Sequence, residues 1–380
     1  MNGNAGRLHG NSPMNHRERF RAVMNYEPFD RVPALYFGTW PETLTRWLSE
    51  GLASEGDIPQ AVDMDPDWER GMWDGYGIVN IHPISEEEGQ LLEETADYAI
   101  WRTPLGGVDK HSKHGSSIPQ HLEYALKPER ADWRRFLAHL NPHDPRRLQA
   151  GWQKALERLK ARENFRVMLG GSLFGWVRDW MGIEQISMLA FDDPALCEEI
   201  VDYLAWFYAE VNRPLLKMAD FDLVYIFEDC CFNTGPLISP RTFDRIYKLY
   251  YRRLAEFYKG MGVPFVMLDS DGNVEALIGH WLDSGIDILF PIEVGTWRAS
   301  PVELRRRWGK QLRIMGGVDK LVIPRGERAL REHLEPMRAT VAEGGFIPLP
   351  DHRLPPDVSL DQFRDYIRVF KEVFWPLAPL

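Results

Sequence analysis

From Phe165 to His352 the chain alternates short apolar runs with amphipathic helical stretches, and this alternation constrains its fold more than any other feature. The runs are FRVMLGG (165–171), FDLVYIFED (221–229), VPFVMLDSDG (263–272), IDILFPIEV (286–294), LRIMGGVD (312–319) and GFIPLPDH (345–352). Helical patterns fill Pro194–Ala219, Pro240–Met261, Val274–Gly285, Pro301–Gly309 and Glu327–Glu343. Strands that are apolar throughout must be covered on both faces, as in a parallel sheet with helices packed against it. Two further candidate strands, Arg31–Gly38 and Gly77–Ile84, bring the count to eight. Eight βα units imply an α/β fold of the TIM-type (β/α)8 barrel class, with an open doubly wound sheet as the alternative.

The N-terminal third departs from that rhythm. LLEETADYAIWRTPLGGVDK (91–110) alternates and carries a Gly-Gly turn, so it reads as an antiparallel hairpin excursion, over the mouth or against another subunit. NHRERFRAVMN predicts a helix over 15–25 capped by Asn15, and a second helix is expected over 42–52. Residues 1–13, Gly- and Asn-rich, read as a disordered leader, and 14–380 as one barrel domain with the hairpin inserted.

Composition removes several function classes. A formal net charge of −11 argues against nonspecific nucleic-acid or anionic-membrane binding, both of which need a basic surface. No apolar run is long enough to span a bilayer, and the first residues lack a secretory apolar core. Three cysteines, Cys197, Cys230 and Cys231, cannot build a disulfide framework or a four-Cys zinc site, and a reducing, cytoplasmic location is expected.

The polar residues gather at strand ends. Glu228-Asp229, Asp269-Ser270-Asp271-Gly272-Asn273, Glu293, Asp319-Lys320 and Asp351-His352 each close an apolar run. In a barrel these ends converge on one mouth, where active sites sit. Asp319 and Asp193 suit ordinary helix caps. Asp269 and Asp271, at i and i+2, point to one side of a strand and repel unless a cation, a proton or an Arg lies between them. Asn273 can bind a ligand or cap the next helix. Glu228 and Asp229 are adjacent, so only one faces the axis. His352 suits a metal ligand or general acid. His114, in a stretch with His111 and His121, is a candidate contact for an anionic ligand, while Tyr36, Trp40 and Trp73 are candidate aromatic walls.

The blocks EDCCFNTGPLISPRTFDRIY, VMLDSDGNVEALI, IDILFPIEVGT, IMGGVDK and IPLPDHRLPPDVSLDQF, with the opening NHRERFRAVMNYEPFDRVPALYFG, resemble the uroporphyrinogen decarboxylase superfamily across nearly the whole chain. The resemblance implies a single TIM barrel and one of two chemistries, decarboxylation or zinc-dependent corrinoid methyl transfer. The decarboxylases carry an MRQAGR motif whose arginines hold propionates, whereas the matching stretch here is ALYFGTWPETLTRW, with Arg46 alone nearby. The methyltransferases carry a His-x-Cys-Gly pair after a middle strand and a Cys after the last. On those positions stand Asp269, Asp271, Gly272 and His352.

The expectation is therefore a metal-assisted methyltransferase working between a small methylated compound and a corrinoid. The alternatives are a decarboxylase of a less anionic substrate and a noncatalytic ligand-binding barrel. Asp269, Asp271 and His352 are expected to hold a divalent metal, zinc first, with magnesium, manganese, iron or no metal left open. By analogy with the family, Glu228 joins Asp269 and His352 as a catalytic group. Asn273, Glu293, His114 and Trp40 are assigned to substrate. The corrinoid is expected on a separate carrier protein, since the DxHxxG pattern of such carriers is missing. The expected partners are the small-molecule substrate, that carrier and a second copy in a homodimer.

Overall fold

A computed structural model describes residues 13–114 and 119–375; residues 1–12 of the expected leader and the serines at 116 and 117 lie outside the described residues, as does the side chain of Trp73. In chain order the strands are β1 Gln90–Glu94, β2 Tyr98–Arg102, β3 Val108–Ser112, β4 Gln120–Glu123, β5 Val167–Gly171, β6 Leu223–Phe227, β7 Cys231–Phe232, β8 Gly235–Pro236, β9 Phe265–Asp269, β10 Ile288–Ile292, β11 Arg313–Val318 and β12 Phe346–Pro350. The six apolar runs become a parallel sheet in the order β12-β11-β10-β9-β6-β5. Neighbours in sequence are neighbours in the sheet, without the order reversal of a doubly wound fold. β9, β10 and β12 are buried along their whole length, which is why no polar alternation marks them.

The two N-terminal runs do not extend this ladder. Arg31–Gly38 contains Pro33, which lacks a ladder donor, and the segment meets the last strand's exit at one parallel bridge, Thr39 to Leu354. Gly38 O and Trp40 N make its two hydrogen bonds with Leu354. The second run spends its hydrogen bonds elsewhere: Val79 bridges Leu148 antiparallel, with Asn80 N–H on Arg147 O and Gln149 N–H on Ile78 O. Of the eight expected strands, six pair in the parallel sheet among the described residues, and the closed eight-stranded ladder of the expectation is not formed by the other two.

The hairpin expectation is met by a larger unit, the four-stranded antiparallel sheet β1-β2-β3-β4, separate from the parallel sheet. Its end is tied beside the mouth, where Leu126 N–H donates to Trp180 O.

The first helix, His16–Met24, has the expected Asn15 cap, completed by Glu18 as a capping box. Phe20 stacks on Phe165 at 3.9 Å and meets Phe265 edge-on at 6.0 Å. Arg17 and Arg21 donate to the buried Asp222 at the start of β6. This helix closes the N-terminal end of the sheet, and the opposite end is left for a cavity. No helix among the described residues is long and apolar enough to cross a membrane.

Candidate active site

A cavity of about 460 Å³ opens at the C-terminal ends of the parallel strands. β6 contributes Tyr225, Phe227 and, just past its end, Asp229; β9 contributes Asp269 and then Asp271. In both, residues two apart line the cavity, as strand alternation requires. Asp229 completes its series because its φ of +43° re-aims the chain where the strand stops. Backbone N–H groups of both Glu228 and Asp229 donate to Asp269 O, which locks the two strand ends together.

Carboxylate oxygens of Asp229, Asp269 and Asp271 lie within 4.8 Å of one another. His352 Nε2 is 3.2 Å from Asp271 Oδ2. Its ring stacks on Trp40 at 5.9 Å and meets Phe37 edge-on at 5.8 Å. Asp269 is 4% exposed and accepts a hydrogen bond from the Tyr225 hydroxyl. Burial, then repulsion from Asp229 and Asp271, raises its carboxyl well above the usual carboxylate range. Asp229 is raised for the same reasons, chiefly burial, although Arg178 on its flank opposes the shift.

The donor set suits a divalent cation. Three converging carboxylates with an imidazole beside them form an oxygen-rich site, fit for magnesium, manganese or iron and compatible with zinc. No cysteine lines the cavity; all three thiols are buried elsewhere.

Several assigned residues stand apart from this cluster. Glu228 is fully buried on the other side of the strand, where its carboxylate accepts from the backbone N–H groups of Leu173, Phe174 and Gly175 at 2.7–2.9 Å and from Ser172 Oγ at 3.2 Å. It anchors the start of the helix Gly175–Met181 instead of facing the axis. Asn273 neither lines the cavity nor caps the next helix, which starts at Ile278 after Leu277; its side chain accepts from Glu275 N at 3.2 Å and closes a local turn. Glu293 sits behind the cavity wall and accepts the Gly272 N–H at 2.6 Å, which fixes the turn carrying Asp271. Burial raises its carboxyl, and Asp271 adds to the shift. His114 lies at the end of β3, exposed and paired with Asp97 at 2.9 Å, in the antiparallel sheet and not in the cavity. Trp40 does line the cavity, while Tyr36 is core.

Three wall residues escaped the sequence reading. Glu69 is 7% exposed; burial pushes its carboxyl up to about 7 despite Arg353 at 3.5 Å, and its Oε1 has no hydrogen-bond partner. His82 rests on Trp176 at 4.3 Å, and burial, with help from Arg147, lowers its imidazole to about 4, so it is neutral near pH 7. Asp179 is exposed at the cavity rim and pairs with Arg178 at 3.3 Å. Nothing in local sequence brings positions 69, 82 and 179 to the strand ends. The Tyr in LVYIF was a usable signal, a hydroxyl in an otherwise apolar strand.

A family model described as uroporphyrinogen decarboxylase (URO-D) matches residues 137–373. Among solved structures, a methyltransferase from Methanosarcina mazei is similar over 94% of this chain and 99% of its own, with 14% identity and a TM-score of 0.57. A B12-independent methionine synthase from Shewanella sp. W3-18-1 is more distant, with TM-score 0.41, 14% identity, 90% of this chain and 96% of its own. No curated protein sequence matches. At these identities the structural likeness speaks to the fold alone.

Proposed function

The chain belongs to the uroporphyrinogen decarboxylase family, and from that premise we propose that it is a metal-assisted methyltransferase, moving a methyl group between a small methylated compound and a corrinoid borne by a separate carrier protein. The observation that carries this reading is the convergence of Asp229, Asp269 and Asp271, with His352 beside them, in one cavity at the strand ends. These four would hold the cation, which when bound supplies Lewis acidity toward the methyl-bearing group. Tyr225 orients Asp269, and Glu293 holds the turn under Asp271. The cavity volume suits a small substrate. Trp40, with Phe37, forms a wall of the cavity.

A second reading draws on Asp269 itself. A buried carboxyl pushed above the usual carboxylate range beside a Tyr hydroxyl is a candidate acid for a decarboxylase working without metal. One experiment separates the two. Elemental analysis of the purified protein should find a divalent metal near stoichiometric in the wild type and lost from Asp269→Asn, with methyl transfer between methylcobalamin and added acceptors lost alongside. Metal-free protein that releases carbon dioxide from small carboxylic acids would replace the first reading with the second.

A further inference from the structure

The carboxylates that line the cavity differ in how they are met. Asp179 and Asp229 pair with Arg178 at 3.3 and 3.4 Å, Asp271 pairs with His352 at 3.2 Å, and Asp269 takes the Tyr225 hydroxyl. Glu69, at the start of the helix Glu69–Tyr76, is met in charge alone. Arg353 Nη2 lies 3.5 Å from its Oε1, close enough to offset the charge, yet no hydrogen bond reaches that oxygen. The guanidinium is also held to the Phe37 ring, with Cζ 5.1 Å from its centre. Gly38 leaves room for the pair: a Cβ there would stand 3.0 Å from Glu69 Oε2 and 2.5 Å from Arg353 Nη1. Burial pushes the Glu69 carboxyl up, Arg353 opposes, and Asp67 and Glu55 add to the rise, which leaves it at about 7. Its charge acts in turn on Tyr225 and Asp269 at the strand ends. Glu69 is thus a buried cavity carboxyl with one open oxygen, near the cation site but not part of it.

We propose that Glu69 is the acid–base group of the transfer, giving a proton to the substrate atom that loses its methyl group and taking one from the atom that gains it. The inference rests on the methyltransferase reading. When the methyl group departs, the bond between carbon and heteroatom breaks and its electron pair stays on the heteroatom. The reduced corrinoid of that reading supplies the electron pair of the new bond to carbon. The heteroatom then needs one proton, and Glu69 gives it from Oε1. Arg353, already beside Oε1, stabilises the carboxylate that remains. In the reverse direction Oε1 accepts the proton of the incoming acceptor, which is the hydrogen-bond donor this oxygen lacks. A carboxyl that changes state near neutral pH suits both directions. His82, the other lining group with a strongly shifted value, is already neutral at pH 7 and has no acidic proton to give.

The test compares metal-loaded wild type with Glu69→Gln and Glu69→Asp. Methyl transfer from methylcobalamin to a panel of thiols, phenols and amines, led by 2-mercaptoethanol and phenol, is followed from about pH 6 to about pH 8. Glu69→Gln should be slower by about a hundredfold at the alkaline end. The ratio of wild-type to variant rate should climb across this range, a comparison in which the acceptor's own ionisation cancels. Glu69→Asp should restore part of the rate and of the climb. Infrared difference spectra over the same range, without acceptor, should show one carboxyl proton lost from the wild type and not from Glu69→Gln. Metal content should be equal in all three proteins. If the wild type transfers methyl groups and Glu69→Gln keeps its rate within about threefold, or the ratio is flat with pH, the role is overturned and methyl transfer stands. Absence of the carboxyl titration overturns it as well, and so does loss of metal from Glu69→Gln, which would place the residue in the cation site. No transfer by the wild type to any acceptor in the panel sinks the methyltransferase reading and the role with it.

Discussion

Glu228 and Asp229 are consecutive carboxylates with opposite duties, and the difference comes from the direction each faces. Glu228 ties down three backbone donors and Asp229 enters the cavity. Glu228→Gln should destabilise the fold by about 2 kcal/mol, because an amide nitrogen must then face N–H donors. Asp229→Asn should keep the melting temperature within a few degrees while lowering metal content, measured on the same preparations. The alternation was readable: Tyr225, Phe227 and Asp229 share a strand face, and that face, more than family analogy, identifies the carboxylate aimed inward. Glu69 was not readable, because its surroundings come from Gly38 and Arg353, distant in sequence. Its folded carboxyl stands at about 7, above an unfolded value of about 4.3. Between these values the folded state holds more protons, so this group's contribution is fully present below about pH 4 and is lost as pH rises through about 7. Glu69→Gln should therefore gain about 3 kcal/mol relative to wild type between pH 4 and pH 8, seen in denaturant melts with chelator present.

The turn after β9 sets how Asp271 is presented. Gly272 has φ +81°, and a Cβ there would lie 2.8 Å from the backbone of Cys231 and Phe232 in the β7–β8 ribbon. Asn273 N–H donates to Phe232 O in the same contact. Gly272→Ala should cost about 1–3 kcal/mol through backbone strain and reduce metal content together with it, as shown by paired thermal melts and elemental analysis. At this scale the six parallel strands were legible because burial on both faces leaves an apolar run with no competing interpretation. The N-terminal runs were equally apolar but do not pair as ladder strands: one holds Pro33, and the other meets the Arg147–Gln149 segment. The sheet β1–β4 was legible as a hairpin; β4 was missed because Gln120–Glu123 is short and exposed.

Over the whole molecule, acidity outweighs basicity both in net charge and in the cavity lining. Uroporphyrinogen carries eight carboxylates, which need several paired cations. The purified protein is expected to yield no coproporphyrinogen from it; sustained product in a porphyrin fluorescence assay would contradict this charge argument.

The bridge between Thr39 and Leu354 has a consequence for synthesis. Thr43 Oγ1 donates to Leu354 O across 311 residues, and Trp40 stacks on His352 in the same region. These are contacts of very high sequence separation, which form late and slowly. As the chain leaves the ribosome, the segment holding Phe37 and Trp40 waits for its counterpart until Leu354 has emerged. A chain ending before His352 can assemble much of its parallel sheet yet has no finished pocket, so ligand capture waits on the exit of the last strand.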